Sequence, residues 1–499
     1  MGVTRVVRRW LFHLACVMAL AWPALINGQP FFFPDSTAYI RAADSAAYIF
    51  SGHRISTEWT ERYRHSLESV GARRDRGSQV SPNVNDLGTE SVMAGRSPYF
   101  GVLLWLSYML SQFWLFVFAQ AAIAYALIRI SLRLFGIEQP VAVAGVVLLL
   151  SLLTSLSFFV ALLMPDLLAG FAILAFMLLA IDRGRLSSWE RLSLALLVFI
   201  AVLAHITHLI IVGAMLLLFL AWASVGRAAW ADGRRLVGAT ALILLAGVAS
   251  LLMTSLVVER TFGRKPLLVP LLTARLLADG PGLGYLRRDC PEAAFAACVY
   301  KDRPKVVVGE FLWSLEPGRG AYLLADTRQR EALSMQDMAF ALAVLRAYPV
   351  EQGGHMLHNG WRQLLRFDID LFNAKCGGNP RCWSSLPPQE RARLMASPGG
   401  RDLWPEVAIA WLHYAVAATA LFLLAASLTR YAKDDAGAKA DLLLWCGLLL
   451  CAFAVNALLG GAVSDPQPRY QARIVWLLPL LASIATILCF DRRLKAFHD

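Results

Sequence analysis

Residues 192–226 read LSLALLVFIAVLAHITHLIIVGAMLLLFLAWASVG and contain no Asp, Glu, Lys or Arg. Two apolar runs, 192–208 and 210–226, meet at a polar point that holds His205, Thr207 and His208. Each run approaches the length of about 20 residues that an α-helix needs to cross a hydrocarbon core of about 30 Å. The stretch therefore predicts two consecutive membrane helices with polar side chains where they join.

Eight further apolar stretches predict an all-α polytopic membrane protein with about ten transmembrane helices. Of the 499 residues, 58% are hydrophobic and only 16% are charged, which excludes an ordinary soluble enzyme and a disordered chain. The formal net charge of +12 is best explained by basic cytoplasmic loops, and no nucleic-acid partner is expected. The other stretches are 10–26, 113–134, 140–160, 167–181, 236–258, 405–429, 441–461 and 474–490.

The short loops alternate between basic and nearly uncharged. The turns near Met164, near His208 and at Ser464–Gln467 hold almost no Lys or Arg. Because basic residues collect on the cytoplasmic side, we predict a bacterial inner-membrane protein with both termini in the cytoplasm and these turns on the periplasmic face. The basic loop residues are Arg133; Arg183, Arg185 and Arg191; Arg227, Arg234 and Arg235; Arg430, Lys433 and Lys439; and Arg492, Arg493 and Lys495.

Two long segments are then predicted on the outer side. The first, 27–112, belongs to an N-terminal module of residues 1–258 and contains two short apolar stretches, Thr37–Phe50 and Ser97–Leu110, which we expect to form helices along the membrane surface. The second, 259–404, is rich in Gly, Pro and charge and is predicted to be a small extracytoplasmic α-rich segment. Residues 405–499 supply the C-terminal transmembrane helices.

Four of the eight cysteines lie in the second outer segment, where the compartment is oxidising. The simplest interpretation is two disulfides, Cys290–Cys298 and Cys376–Cys382. A zinc site made by all four is the alternative, although neither pair has the spacing of two to four residues that is typical of a zinc knuckle. The remaining cysteines lie in apolar runs and are predicted to be packing residues.

Two carboxylates are predicted at the outer boundary of the bilayer. Asp35 follows three Phe residues in the motif Pro34-Asp35-Ser36, and Asp166 follows Pro165 between two apolar runs. A helix N-cap is the simple explanation for each. A cap explains the position, but a Ser or Asn would cap a helix without bringing a charge to the interface, where charge is costly and often functional.

Basic and aromatic side chains are predicted at the same boundary. His205 and His208, at spacing i, i+3, would share one helix face, either as interfacial residues or as a metal pair. Arg469 and Arg473, at spacing i, i+4, flank Tyr470 and would bind a phosphate together or serve as interfacial anchors. Jointly, the four sets suit transfer from a lipid phosphate, in which a carboxylate accepts the proton of a hydroxyl and cations stabilise the leaving phosphate.

At these motifs the sequence resembles the GT-C superfamily of integral-membrane glycosyltransferases. The likeness rests on Pro34-Asp35-Ser36 with Tyr39, on 95–99 (GRSPY), on Pro165-Asp166, and on Arg469-Tyr470 ahead of a final helix that contains Pro479. It implies two surface helices in the first outer loop, a multi-helix bundle, and the use of polyprenyl-phosphate sugars on the outer face.

The resemblance also implies roles for individual residues. Asp35 would be the general base or a metal ligand, Asp166 would orient the acceptor or share a metal, and Arg469 would bind the phosphate. No family position matches the two histidines, and the resemblance leaves open whether a divalent metal ion is the cofactor. The residues predicted to bind substrate are Tyr39, Arg96, His205, His208, Arg469, Tyr470 and Arg473.

The expected function is therefore transfer of a sugar from a polyprenyl-phosphate-linked donor to a glycan, lipid or protein acceptor. The alternatives are a transporter or flippase of lipid-linked glycans, a membrane acyltransferase that uses a catalytic His, a polysaccharide polymerase, and a non-enzymatic assembly factor. A nucleotide-sugar enzyme is disfavoured, because 280–284 (GPGLG) follows no strand–helix pattern and indicates a turn.

Overall fold

A computed structural model describes residues 2–61, 96–225, 229–369, 383, 385–430 and 436–496. Within these ranges the chain is helical and no extended sheet forms, as predicted. The helices are α1 Gly2–Leu20, α2 Trp22–Asn27, α3 Pro34–Phe50, α4 Pro98–Ser111, α5 Trp114–Leu134, α6 Pro140–Leu153, α7 Leu156–Val160, α8 Asp166–Ala180, α9 Ser188–Ala204, α10 Ile206–Val225, α11 Ala229–Phe262, α12 Leu271–Asp279, α13 Pro281–Asp289, α14 Val308–Trp313, α15 Thr327–Ala347, α16 Pro349–Leu364, α17 Pro388–Ala396, α18 Glu406–Arg430, α19 Ala436–Leu458, α20 Pro468–Val475 and α21 Leu477–Ala496.

Six helical stretches of the described chain are long and apolar enough to cross a membrane, so the prediction of a helical membrane protein is confirmed. The predicted number of about ten spans is not reached by this measure. The stretch 10–26 breaks at Ala21, 140–160 breaks at Thr154, and 167–181 and 192–208 form helices of only 15 and 17 residues. The six stretches are Trp114–Leu134, Ile206–Val225, Gly233–Thr261, Glu406–Arg430, Lys439–Val463 and Pro468–Phe490.

Two hydrophobic cores form. The larger one unites α1–α10 with the C-terminal helices, and α8 lies at its centre with almost every side chain buried. The smaller one lies within residues 264–366, which we call the insert, and packs α12–α15 around Phe311 and Phe340. The predicted disulfide Cys290–Cys298 is present in the insert, with a Cα–Cα distance of 5.8 Å, so these two cysteines do not form a zinc site. Cys376 and Cys382 lie outside the described residues.

A short backbone contact sets two helix starts side by side. The Phe31 N–H donates to the Ala161 carbonyl at 2.8 Å, and the Leu163 N–H donates to the Phe31 carbonyl at 2.9 Å. This is an isolated parallel bridge between Phe31 and Leu162. Pro34-Asp35 follows Phe31 at the same spacing at which Pro165-Asp166 follows Leu162. Helices α3 and α8 therefore begin next to each other, with Asp35 and Asp166 in their first turns.

The predicted surface helices of the first loop are α3 and α4, and they cross in close contact at Gly101. A Cβ atom at Gly101 would lie 2.5 Å from the Tyr39 carbonyl oxygen, a separation that real Cβ contacts essentially never show. Because the obstacle is backbone, a larger side chain would force the two helices apart.

We therefore expect Gly101→Ala to destabilise the detergent-purified protein by about 1–3 kcal/mol, the usual cost of overpacking. Gly145→Ala is the matched control, because a Cβ there meets nothing within 4 Å and Ala favours a helix. Thermal unfolding followed by tryptophan fluorescence measures both variants. Equal unfolding temperatures for the two would contradict the close crossing.

Candidate functional site

Asp35 lies in the first turn of α3 but does not cap the helix. Ser36 has that role, since its Oγ accepts a hydrogen bond from the Phe33 N–H at 3.0 Å, and the N-cap interpretation of Asp35 is wrong. The Asp35 carboxylate instead lies 2.6 Å from Arg96 Nη2 and 3.6 Å from Arg469 Nη2. Burial alone would raise the pKa of Asp35, but the two guanidinium groups outweigh it and hold the pKa below its ordinary value.

Asp166 is the first residue of α8, and its side chain makes no capping hydrogen bond either. Its carboxylate faces Arg473 Nη1 at 3.7 Å, and both side chains are at most 5% exposed. Arg473 also donates from Nη2 to Asn456 Oδ1 at 2.6 Å and to Thr207 Oγ1 at 3.4 Å. Asp166 is thus one member of a buried ion pair that joins α8, α10, α19 and α20.

The short helix α20 carries both arginines. Arg469 lies over the rings of Phe33 and Tyr470, with its guanidinium carbon 4.0 and 5.2 Å from their centroids, and Arg473 lies 5.7 Å from the Tyr470 ring. The predicted placement on one helix holds, but each arginine faces a different carboxylate. Gly170 permits this packing, because a Cβ there would lie 2.9 Å from Trp476 Nε1 and 3.1 Å from the Arg473 carbonyl.

Arg96 and Tyr39 complete the side of the site near Asp35. The guanidinium carbon of Arg96 lies 5.8 Å from the centre of the Tyr39 ring, and the buried Tyr39 hydroxyl has no hydrogen-bond partner among the residues that the structure describes. The next residue, Ser97, caps α4 and donates to the Leu203 carbonyl at 2.7 Å. This bond holds Arg96 beside the end of α9, where His205 follows.

The two histidines do not share a continuous helix, so the predicted i, i+3 geometry is wrong. Helix α9 ends at Ala204, His205 has an extended backbone with φ −160° and ψ 136°, and α10 begins at Ile206. The rings nevertheless lie close, with centroids 5.5 Å apart. Arg96, Arg469 and Arg473 are near enough to act electrostatically on His205. The structure therefore brings together all nine predicted site residues.

Two residues of this cluster, Asn456 and Thr207, were not predicted as site residues from the sequence. Asn456 is 1% exposed and bridges α19 to α20 by donating to the Tyr470 carbonyl at 2.5 Å while accepting from Arg473. Thr207 links Arg473 to His205. A signal for Asn456 existed, since a polar amide inside the apolar run 441–461 is costly unless it has a specific partner.

Helix lengths indicate the depth of the cluster. Helices α8 and α9 have 15 and 17 residues, about 22 and 25 Å at 1.5 Å per residue. Arg183, Arg185 and Arg191 lie at their shared end, and Asp166 and His205 lie at the opposite ends. Measured along these helices, the cluster therefore lies about 22–25 Å from the loop that carries the three arginines.

The cluster has the charge and the free donors of an anion site. Three arginines face two carboxylates, which leaves one positive charge in excess. Arg469 Nη1 and Arg473 Nε are buried and have no hydrogen-bond partner in the described part of the chain. Buried donors are almost always satisfied, so two unsatisfied ones on adjacent turns of one helix favour a ligand with acceptor oxygens, such as a phosphate.

A metal site of the type that the resemblance left open requires several protein ligands. Among the residues that the structure describes, no group of three or more His, Cys, Asp and Glu side chains is placed to hold a metal ion. Arginine supplies the positive charge beside both Asp35 and Asp166.

The two carboxylates are predicted to differ in their effect on stability. Asp166→Asn removes the charge that neutralises a buried arginine, and loss of one partner from a buried pair costs about 3–5 kcal/mol. Asp35 is 25% exposed and water screens its arginines, so Asp35→Asn should cost less, about 1 kcal/mol. Thermal unfolding of the two purified variants gives the order. A larger loss for Asp35→Asn would contradict the burial difference.

Comparison with known proteins adds no relative: no protein-family model, no curated protein and no solved structure matches this chain.

Proposed function

We propose that this protein is an integral-membrane glycosyltransferase that moves a sugar from a polyprenyl-phosphate donor to a hydroxyl-bearing glycan, lipid or protein acceptor. The observation that carries the proposal is the pairing of a partly exposed carboxylate, Asp35, with arginines that retain unsatisfied donors at the boundary of the helical bundle. The excess of one positive charge matches the single negative charge of a sugar phosphodiester. The resemblance of the Asp35, Asp166 and Arg469 motifs to the GT-C superfamily supports the same assignment.

The proposed reaction begins with an exchange of partners. A donor phosphate at Arg469 Nη1 and Arg473 Nε would compete with Asp35 for positive charge. Asp35 then becomes a stronger base than it is in the ligand-free site, because its pKa is held down by Arg96 and Arg469. Binding of the donor thus prepares the base, and donor binding and base activation are coupled.

In the transfer step, the oxygen of the acceptor hydroxyl bonds to the anomeric carbon of the sugar. The bond from that carbon to the phosphate oxygen breaks, and its electron pair leaves with the polyprenyl phosphate. The hydroxyl proton passes to the Asp35 carboxylate. Arg469 and Arg473 stabilise the charge that develops on the phosphate, and Asp166 holds Arg473 in position.

Transfer from a labelled polyprenyl-phosphate sugar, in proteoliposomes of the purified protein, tests the proposal. Asp35→Asn should lower the rate by about 10²–10⁴-fold, the usual contribution of a general base. Asp44→Asn is the matched control, because Asp44 lies on the same helix but its partners in the described part of the chain are neutral donors, Thr57, Thr60 and Trp105. An unchanged rate in Asp35→Asn would exclude Asp35 as the base.

The pH profile provides an independent test. With the pKa of Asp35 lowered, the acid limb of kcat/KM for the wild-type protein should lie below the ordinary Asp value of about 3.9. Arg96→Gln removes the nearest cation, so the pKa of Asp35 rises and the acid limb moves to higher pH. Arg393→Gln, which removes an arginine paired with Glu390, is the control. An acid limb that stays in place in Arg96→Gln would contradict the role of Asp35.

A flippase of lipid-linked glycans is the second candidate, and the interruption of helices at the cluster favours it. Helix α19 passes into a π-helical turn at Leu459–Val463 and α20 restarts at Pro468, while α9 and α10 are separated at His205. Discontinuous helices of this kind form binding sites in transporters. Net movement of the lipid-linked sugar across proteoliposomes, without transfer to an acceptor, would support this candidate over the transferase.

A further inference from the structure

The histidines at the junction of α9 and α10 have hydrogen-bond partners that determine their tautomers. Arg473 Nη2 donates to Thr207 Oγ1, and an arginine cannot act as acceptor, so the Thr207 hydroxyl is free to donate to His205 Nδ1 at 2.8 Å. The Thr207 backbone N–H also donates to His205 Nδ1 at 3.2 Å. His205 Nδ1 therefore carries no proton, and the ring proton is on Nε2.

His208 has the opposite tautomer. Its Nδ1 lies 2.8 Å from the Ala201 carbonyl oxygen, which can only accept, so Nδ1 carries the proton. His208 is 1% exposed, so a charged imidazole there would be costly to bury. The neutral ring leaves Nε2 as a bare acceptor.

Three nitrogen atoms of this group have no protein partner among the described residues. His208 Nε2 and Arg473 Nε are buried without hydrogen bonds, and the described residues offer no partner to His205 Nε2. An unsatisfied buried acceptor is costly, so its retention favours a ligand that donates a hydrogen bond to it. Because Arg473 Nε is assigned to the phosphate, His205 Nε2–H as donor and His208 Nε2 as acceptor remain, and this combination matches a hydroxyl group, which both accepts and donates hydrogen bonds.

From the close approach of the two histidine rings beside Arg473, we infer that His205 and His208 form a subsite for a hydroxyl group of the donor's sugar, a role that rests on the proposed function. The sugar of the donor is favoured over the acceptor because Arg473, which would bind the phosphate, is linked to His205 through Thr207, so this hydroxyl would lie beside the phosphate. His205 donates to the sugar oxygen through Nε2–H, and His208 accepts the hydroxyl proton through Nε2. The subsite would thus distinguish a sugar-bearing carrier from the bare carrier lipid.

Binding in nanodiscs tests this inference with two probes: undecaprenyl phosphate alone, and a panel of undecaprenyl-phosphoryl pentoses and hexoses. The measured quantity is the ratio of affinities for the best sugar-bearing lipid and the bare lipid. In the wild-type protein the ratio should exceed one. His208→Asn keeps a donor for the Ala201 carbonyl but removes the Nε2 acceptor, and it should lower the ratio about tenfold while affinity for the bare lipid is retained.

His205 allows a matched pair of variants. His205→Gln places an amide N–H near the position of Nε2 and should retain most of the ratio, whereas His205→Asn reproduces only the Nδ1 position and should lose it. An unchanged ratio in both His208→Asn and His205→Asn would overturn the inference, as would an equal loss of affinity for both lipids. Failure of the wild-type protein to bind undecaprenyl phosphate at all would instead reject the proposed function, and the subsite with it.

Discussion

The parallel contact between Phe31 and Leu162 is the constraint on which the candidate site depends. It is only one bridge with two backbone hydrogen bonds, yet it places two Pro-Asp pairs in register at the starts of α3 and α8. Two negative charges at neighbouring helix starts repel each other and are costly to bury. The fold compensates by placing α20 across them, so that Arg469 and Arg473, one turn apart, each neutralise one carboxylate.

The Asp166–Arg473 pair is more buried than Asp35 and its arginines. This difference in burial favours a structural role for Asp166 and a chemical role for Asp35. Asp166 and Arg473 are buried, and Asn456 and Thr207 accept from the same guanidinium, which fixes this pair in one geometry. Asp35 is more exposed and lies between Arg96 and Arg469, and within the described part of the chain its carboxylate accepts no hydrogen bond from a neutral group. A buried pair in one fixed geometry suits a scaffold that orients Arg473, whereas a partly exposed carboxylate beside Arg469, which has a spare donor at Nη1, can exchange partners when an anion arrives.

Composition and apolar runs were enough to predict a helical membrane protein, because an apolar run of about 20 residues is what an α-helix needs to cross a bilayer, but they predicted more spans than the six found among the described residues. The pair Cys290–Cys298 was also predictable from local spacing and compartment. The break between α9 and α10 at His205 was not predictable. The apolar sequence continues through this point without Gly or Pro, and the break depends on contacts of Ser97 and Thr207. Charge at the predicted membrane interface was enough to identify Asp35 and Asp166 as candidate site residues. Their positions next to each other depend on pairing between distant segments, which no local sequence pattern encodes.

The insert also bears on the site, because its contacts reach the segment that leads into α20. Arg275, itself paired with Asp279, lies 3.3 Å from Asp465, and Gln363 exchanges two hydrogen bonds with the backbone of Gln467. At Gly461 the π-helical turn touches the backbone of Asn359 so closely that no Cβ would fit. Pro468 follows directly and begins the helix that carries both arginines. Two sets of contacts therefore hold Arg469 and Arg473 in place: the ion pairs with the carboxylates of α3 and α8, and the contacts that the insert makes with the segment before α20. A displacement of the insert would change the distance between these arginines and Asp35.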